Sequence, residues 1–242
     1  MRLGGKSVQN GIALGPVVVL KRQTEPVRRE KVSDVEAELE AVRTAAVRAG
    51  EELWELYDKA LREVGESGAA IFEAHRMVLL DEEYMGSVCD RIRGDRVNDS
   101  WAVAVTGEHF AEIFAGMDDD YMKARAADVK DISNRLIRIL EGDSEEDAVI
   151  REPSVIVADD LSPGETVRMD REKILGLVTV HGSINSHTAI LARTMNIPAL
   201  IGVPVNLEEI RTGMTAVVDG FKGEVTFEPD EETCRLAQEK ML

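Results

Sequence analysis

HGSINSHTAILARTMNIPALIGV, residues 181–203, is the stretch that decides the fold, because it carries the chain from the end of a strand into a short helix. Upstream, ILGLVTV (174–180) is an unbroken apolar run of strand length. Downstream, Ala189, Ile190, Leu191 and Ala192 begin a helix that Asn196 and Pro198 should stop, with Asn185 or Ser186 as its N-cap. His187 then stands in the first turn. Unpaired amide hydrogens and the positive end of the helix dipole stabilise an anion there and favour neutral imidazole over imidazolium. A neutral imidazole at such a place can accept a phosphoryl group. The local spacing is equally compatible with a helix start that happens to be histidine.

Outward from this unit the pattern remains strand and helix. SVIVADDL (154–161) reads as a strand ending in acids, and SPGETV follows, with Ser162 and Pro163 opening a helical turn near Thr166. Further strands are expected at 199–201, at 215–219 and at 224–227, the last two joined by a hairpin turn at 220–223. Residues 8–20 read as strand, turn and strand that complete this α/β domain, leading into a connector over 21–32. Between 33 and 142 the period changes to that of helices. Val35, Leu39, Val42, Ala46, Ala49, Leu53, Leu56 and Ala60 recur at steps of three and four, with Ser33 as cap. Further helices are expected from Ser67 to Leu80, from Asp81 to near Arg93, from an Asn98-Asp99-Ser100 cap through Phe114, and from Asp118-Asp119 to Gly142. Acidic residues 143–147 close this insert, and 230–242 reads as a helix after Pro229 without an obvious partner in the chain.

The 242 residues suffice for one large domain or two modest ones, each with a proper core. Twenty-nine Lys and Arg against 46 Asp and Glu give a net charge of -17, which argues against nucleic acid or an anionic membrane as partner and suits a basic protein partner or simply an acidic surface. Cys89 and Cys234 lie far apart on expected helices, the pattern of a reduced cytoplasmic chain. The glycines and Pro16 of the N-terminal apolar stretch fit a strand better than a signal peptide or membrane insertion.

Other chemistries find little support. Adjacent Ser186 and His187 do not place a hydroxyl on a ring nitrogen, and no G-x-S-x-G elbow is present. His75, His109, His181 and His187 are scattered without metal-ligand spacing, so no metal site is expected, and neither a Walker loop nor a dinucleotide fingerprint occurs. Arg193 is most simply structural. A phosphoryl-accepting His187 would need a partner for its second ring nitrogen, and a hydroxyl would serve.

The motif around His187 resembles the phosphohistidine signature shared by Enzyme I of the phosphoenolpyruvate-dependent sugar phosphotransferase system and by pyruvate phosphate dikinase. Gly182, Ser186, His187, Ala189, Ile190, Ala192 and Arg193 match it, as do Pro198, Ala199 and Gly202, while Ser183 and Asn185 replace a glycine and a threonine. The Enzyme I resemblance extends to Gly11, Ile12, Ala13 and Gly15, to IFEAHRMVLLDEEY (71–84) and to DDDYMKARAADVKDISNRL (118–136). It implies an α/β phosphohistidine domain with an inserted all-α helical-bundle subdomain, divided as 1–22 with 144–228, 30–142, and a linker helix at 229–242. It implies His187 as the phosphohistidine, Thr166 as the residue that orients its ring, and Gly182, Ser183, Asn185 and Ser186 as the phosphate loop. Met77, Val78, Asp81, Glu83, Tyr84, Met122 and Arg125 are the implied docking residues for the phosphocarrier HPr.

By the same resemblance the activity is that of a cytoplasmic phosphoenolpyruvate-protein phosphotransferase serving sugar transport. Phosphoenolpyruvate and magnesium bind a C-terminal barrel domain whose sequence is not present here, and no cofactor is expected in this chain. A terminal helix running to the last residue suggests a cut before that domain, and a monomer is expected because the family dimerises through the other half. Such a chain should exchange phosphate with phospho-HPr but not with phosphoenolpyruvate. Two alternatives remain: the shuttle domain of a dikinase-like enzyme, and a non-catalytic helical interaction module with a degenerate site, motivated by Ser183 and Asn185. The helical insert disfavours the first.

Overall fold

The structure is a computed structural model that describes all residues except 22–25, 143–149, 183–185 and 242, with the backbone alone at Asp120, Ala124 and His187. Part of the connector expected over 21–32 and the acidic run 143–147 therefore lie outside the described residues, as do Ser183 and Asn185. The chain divides into two units, Met1–Gln23 with Glu146–Leu242, and Thr24–Glu145.

The first unit is built on one mixed sheet. Its strands are β1 (Arg2–Gly4), β2 (Lys6–Gln9), β3 (Ile12–Leu20), β4 (Ser154–Ala158), β5 (Ile174–Thr179), β6 (Ala199–Ile201), β7 (Thr215–Asp219) and β8 (Glu224–Phe227), in the order β1-β8-β7-β3-β4-β5-β6-β2. Strands β3, β4, β5 and β6 run parallel, and the flanking β7, β8, β1 and β2 pair antiparallel. The apolar runs at β4 and β5 follow from this central place, since a strand covered on both faces has no solvated side. Along β4 the side chains alternate: Ile156 and Ala158 join a core with Met169, Ala189, Ala192 and Met195 on one face, and Val155 and Val157 join Val203, Ile210, Val218 and Phe227 on the other.

Parallel pairing puts the carboxyl ends of β3 to β6 along one edge. Lys21, Asp159 and Gly202 follow β3, β4 and β6 directly, and His181 stands two residues past β5. Helix α6 (Pro163–Arg168) joins β4 to β5, and helix α7 (His187–Thr194) joins β5 to β6.

The second unit is a helical bundle of α1 (Val35–Glu63), α2 (Glu66–Leu79), α3 (Glu82–Asp95), α4 (Asp99–Ala115) and α5 (Asp120–Leu140). Leu39, Val42, Ala49, Leu53, Leu56 and Ala60 of the apolar seam are buried. The cap of α1 is Asp34, whose carboxylate accepts from the Ala37 amide at 3.0 Å, and not Ser33, because Asp34 is the last residue outside helical geometry. Asn98 occupies the N-cap of α4, but its side chain reaches back to Glu30 N and Arg28 O, and Glu38 accepts the Asp99 amide at 2.8 Å instead.

Inside the bundle, Glu52 accepts from Arg135 and Arg138, each at 2.6 Å. Burial alone would raise its carboxyl, but the Arg138 charge and the Arg135 hydrogen bond and charge outweigh that and hold it below the ordinary carboxylate range. Its stabilisation is present above the unfolded-state value and is lost as pH falls through the lower folded-state value. Glu52→Gln is therefore expected to cost about 2 kcal/mol at neutral pH. The gap between wild type and variant should close on acidification below about pH 4 in thermal melts.

One expectation is corrected at the C-terminus. Helix α8 (Glu231–Met241) is not without a partner: it packs on β3 and β7, buries Ala237 and pairs Lys240 with Asp219 at 3.2 Å, so it belongs to the first unit. Among the described residues no helix is long and apolar enough to cross a membrane.

Candidate active site

Two short helices form the site. Ser162 caps α6 in a reciprocal box: its hydroxyl accepts from the Glu165 amide at 3.2 Å, and the Glu165 carboxylate accepts from the Ser162 amide at 2.7 Å. Thr166, one turn in, is only 1% exposed, and its Oγ1 donates to Ser162 O at 3.0 Å. The lone pairs of that hydroxyl remain able to accept.

Ser186 caps α7, accepting from the Ala189 amide at 3.2 Å, which leaves its own hydroxyl proton for another acceptor. His187 is the first helical residue, where the dipole and first-turn amides favour an anion. Thr188 is buried, and its Oγ1 donates to Leu161 O at 2.8 Å. That bond fixes the backbone of His187 beside the start of α6, whose Ser162 carbonyl holds Thr166. Apolar Ala189, Leu191 and Ala192 seat α7 on the sheet, and Arg193 Nε donates to Val8 O at 3.1 Å. Asn196, at φ 54°, ends the helix as its position in the sequence suggests.

The entry to α7 is also constrained. Gly182 has φ 117°, a conformation L side chains rarely adopt. The Thr179 hydroxyl donates to His181 O at 2.6 Å, the His181 amide donates to Asp159 O at 2.8 Å, and His181 Nδ1 lies 2.9 Å from Asp159 Oδ1. The sequence alone does not single out this last pair, since it is made by the register of β4 on β5. Among the described residues no group of three or more His, Cys, Asp or Glu could hold a metal ion.

The residues expected at a docking surface divide. Met77 is exposed at 59%, Glu83 is exposed, and Asp81 caps α3 by accepting from the Glu83 and Tyr84 amides. Met122 and Arg125 are half-buried, and Arg125 Nη2 donates to Tyr121 Oη at 2.6 Å. Val78 and Tyr84 are not surface residues. Val78 is 7% and Tyr84 1% exposed, because the helical period turns them into the bundle, where Tyr84 bonds Ser133 at 2.7 Å. Leu80 and Tyr121, within the two segments that carry the expected docking residues, are exposed apolar side chains missed in the sequence. Leu80 continues an apolar run that looks like core, and only the end of α2 at Leu79 exposes it.

Comparison with known proteins matches two family models: PEP-utilising enzyme, N-terminal, over residues 4–125, and PEP-utilising enzyme, mobile domain, over 150–223. The chain belongs to the PEP-utilising enzymes. Among curated relatives it is 37% identical over 239 residues to a phosphoenolpyruvate-protein phosphotransferase of Bacillus subtilis (strain 168), covering 98% of this chain and 42% of that protein. A protein of the same name from Staphylococcus carnosus (strain TM300) is 34% identical over 240 residues, covering 99% of this chain and 42% of its own length. The chain thus spans about two fifths of these relatives.

Among solved structures, an NMR solution structure of Enzyme I (nEIt) superposes with a TM-score of 0.83 at 35% identity, covering 99% of this chain and 98% of that one. The N-terminal domain of Enzyme 1 - Nitrogen gives a TM-score of 0.64 at 25% identity, covering 98% of each. The chain therefore has the fold its sequence suggests, an α/β phosphohistidine domain with a helical-bundle subdomain.

Proposed function

We propose that the chain carries phosphoryl groups on His187, receiving them from phosphoenolpyruvate bound elsewhere in a longer phosphotransferase and passing them to the histidine of HPr. The observation that carries this reading is the anchoring of the first residue of α7 beside Thr166 through the Thr188–Leu161 hydrogen bond. The names of the relatives support it, and so does the match of residues 4–125, which takes in much of the helical unit. In the proposed step the Nε2 lone pair of His187 attacks phosphorus in line. The bond to the leaving atom breaks, and Thr166 accepts from the other ring nitrogen and holds the ring. Ser186 and the first amides of α7 stabilise phosphate oxygens.

Magnesium and phosphoenolpyruvate are assigned to a separate barrel domain, and no step of this chain is routed through the metal. Docking of HPr is assigned to Met77, Asp81, Glu83, Met122 and Arg125, with Leu80 and Tyr121 added by their exposure and Val78 and Tyr84 supporting them from beneath. An acidic surface of this kind suits a basic carrier in the cytoplasm.

Thr166→Val tests the assignment. The Ser162 carbonyl also accepts from the Thr166 amide at 3.1 Å, so loss of the hydroxyl leaves no orphaned acceptor and the melting temperature should barely move. Transfer from radiolabelled phospho-HPr should slow about 10- to 100-fold, the usual effect of removing an orienting partner. An unchanged rate removes Thr166 from the mechanism. HPr binding without any transfer would instead favour the non-catalytic module.

A further inference from the structure

A second imidazole stands at the carboxyl edge of the parallel strands, outside the roles assigned above. His181 and Asp159 follow adjacent strands and are joined twice, by the amide of His181 on Asp159 O and by Nδ1 on Asp159 Oδ1 at 2.9 Å. The Thr179 hydroxyl fixes the His181 carbonyl from below. A neutral ring whose Nδ1–H donates to a carboxylate keeps its lone pair on Nε2 and its plane held in one orientation. The side chain is 69% exposed, so Nε2 is open to a reactant. An exposed pair of this kind adds little to stability, and the outer edge of the carboxyl ends is where open α/β sheets bind ligands. Gly182 is the next residue, and His187 lies six positions beyond His181 in the sequence.

We propose that His181 is a second phosphoryl acceptor. The Nε2 lone pair forms a bond to phosphorus while the bond between phosphorus and the donor nitrogen breaks, its electron pair returning to that nitrogen. The ring becomes positively charged as its lone pair is committed, and the Asp159 carboxylate, holding the Nδ1 proton, balances that charge. Phosphorylated His187 as the natural donor rests on the function proposed above; the reactivity of the pair does not.

The probe is therefore phosphoramidate, which transfers its phosphoryl group to histidine and releases ammonia. It is applied to the full chain and to the His187→Ala chain, with each labelled nitrogen identified by 15N–31P coupling. Exposed His109, which meets Phe110 edge-on and has no carboxylate partner among the described residues, is the internal reference. His181 should be labelled on Nε2 about tenfold faster than His109 in both chains, and Asp159→Asn should slow it about tenfold while leaving His109 unchanged. Labelling of His181 no faster than His109, or at the same rate in Asp159→Asn, overturns the proposal. Label on His181 from phosphoramidate with none on either histidine from phospho-HPr would uphold the reactive pair and reject the carrier function.

Discussion

His187→Ala is expected to reduce phosphoryl transfer from phospho-HPr by at least about a thousandfold, the scale on which removal of a nucleophile acts. The loss should not come from misfolding. Alanine is the best helix former, and the elements that seat α7 are the Ser186 cap, the Thr188 bond to Leu161 O and buried Ala189, Leu191 and Ala192, none of which the change removes. The melting temperature should therefore stay within a degree or two, while acid-labile, alkali-stable label disappears from this position. Retained transfer at the wild-type rate would move the chemistry to another residue.

The largest structural effect is expected from Gly107→Ala in the helical unit. A methyl group there would lie 2.1 Å from Ser133 Oγ and 2.6 Å from Ser133 Cβ, so α4 and α5 could not keep their present approach. Rotation of Ser133 would free its hydroxyl but not its Cβ, and it would break the 2.7 Å bond to Tyr84 Oη. Tyr84 is deeply buried, and burial pushes its hydroxyl up to about 12 despite the Ser133 bond. Overpacking costs about 1–3 kcal/mol. The orphaned buried hydroxyl costs about 1–3 more, against a gain of about 1 from helix propensity. A net loss of about 1–5 kcal/mol is expected, measured by urea unfolding of the helical unit. An unchanged midpoint would mean the two helices separate at no cost.

These expectations depend on features that differ in how far sequence exposes them. The apolar runs at β4 and β5 and the seam of α1 are legible because a strand covered on both faces and a one-sided helix leave periodic signatures. His187 is legible from its place between a strand and a helix, but its association with Thr166 only through motif resemblance, since nothing local connects residues so far apart; the link between their helices is the tertiary bond from Thr188 to Leu161. Val78 and Tyr84 show the limit of reading a surface from a motif. A docking segment carries both its exposed side chains and those beneath them, and only packing separates Met77 from Val78. The partner of α8 is illegible for a related reason: one buried alanine and one lysine on an acidic helix give almost no apolar stripe, yet they suffice against β3 and β7. The pairing of Asp159 with His181 depends on strand register, which no property of either residue announces.

The central claim is tested most directly by phosphorylating the 15N-histidine-labelled chain with phospho-HPr and reading 15N–31P couplings at residue 187. The account predicts a coupling to Nε2 of His187 that is lost on mild acid treatment and returns with fresh donor. A chain that becomes phosphorylated while the His187 ring stays uncoupled, or one that takes up no phosphoryl group at all, would contradict it.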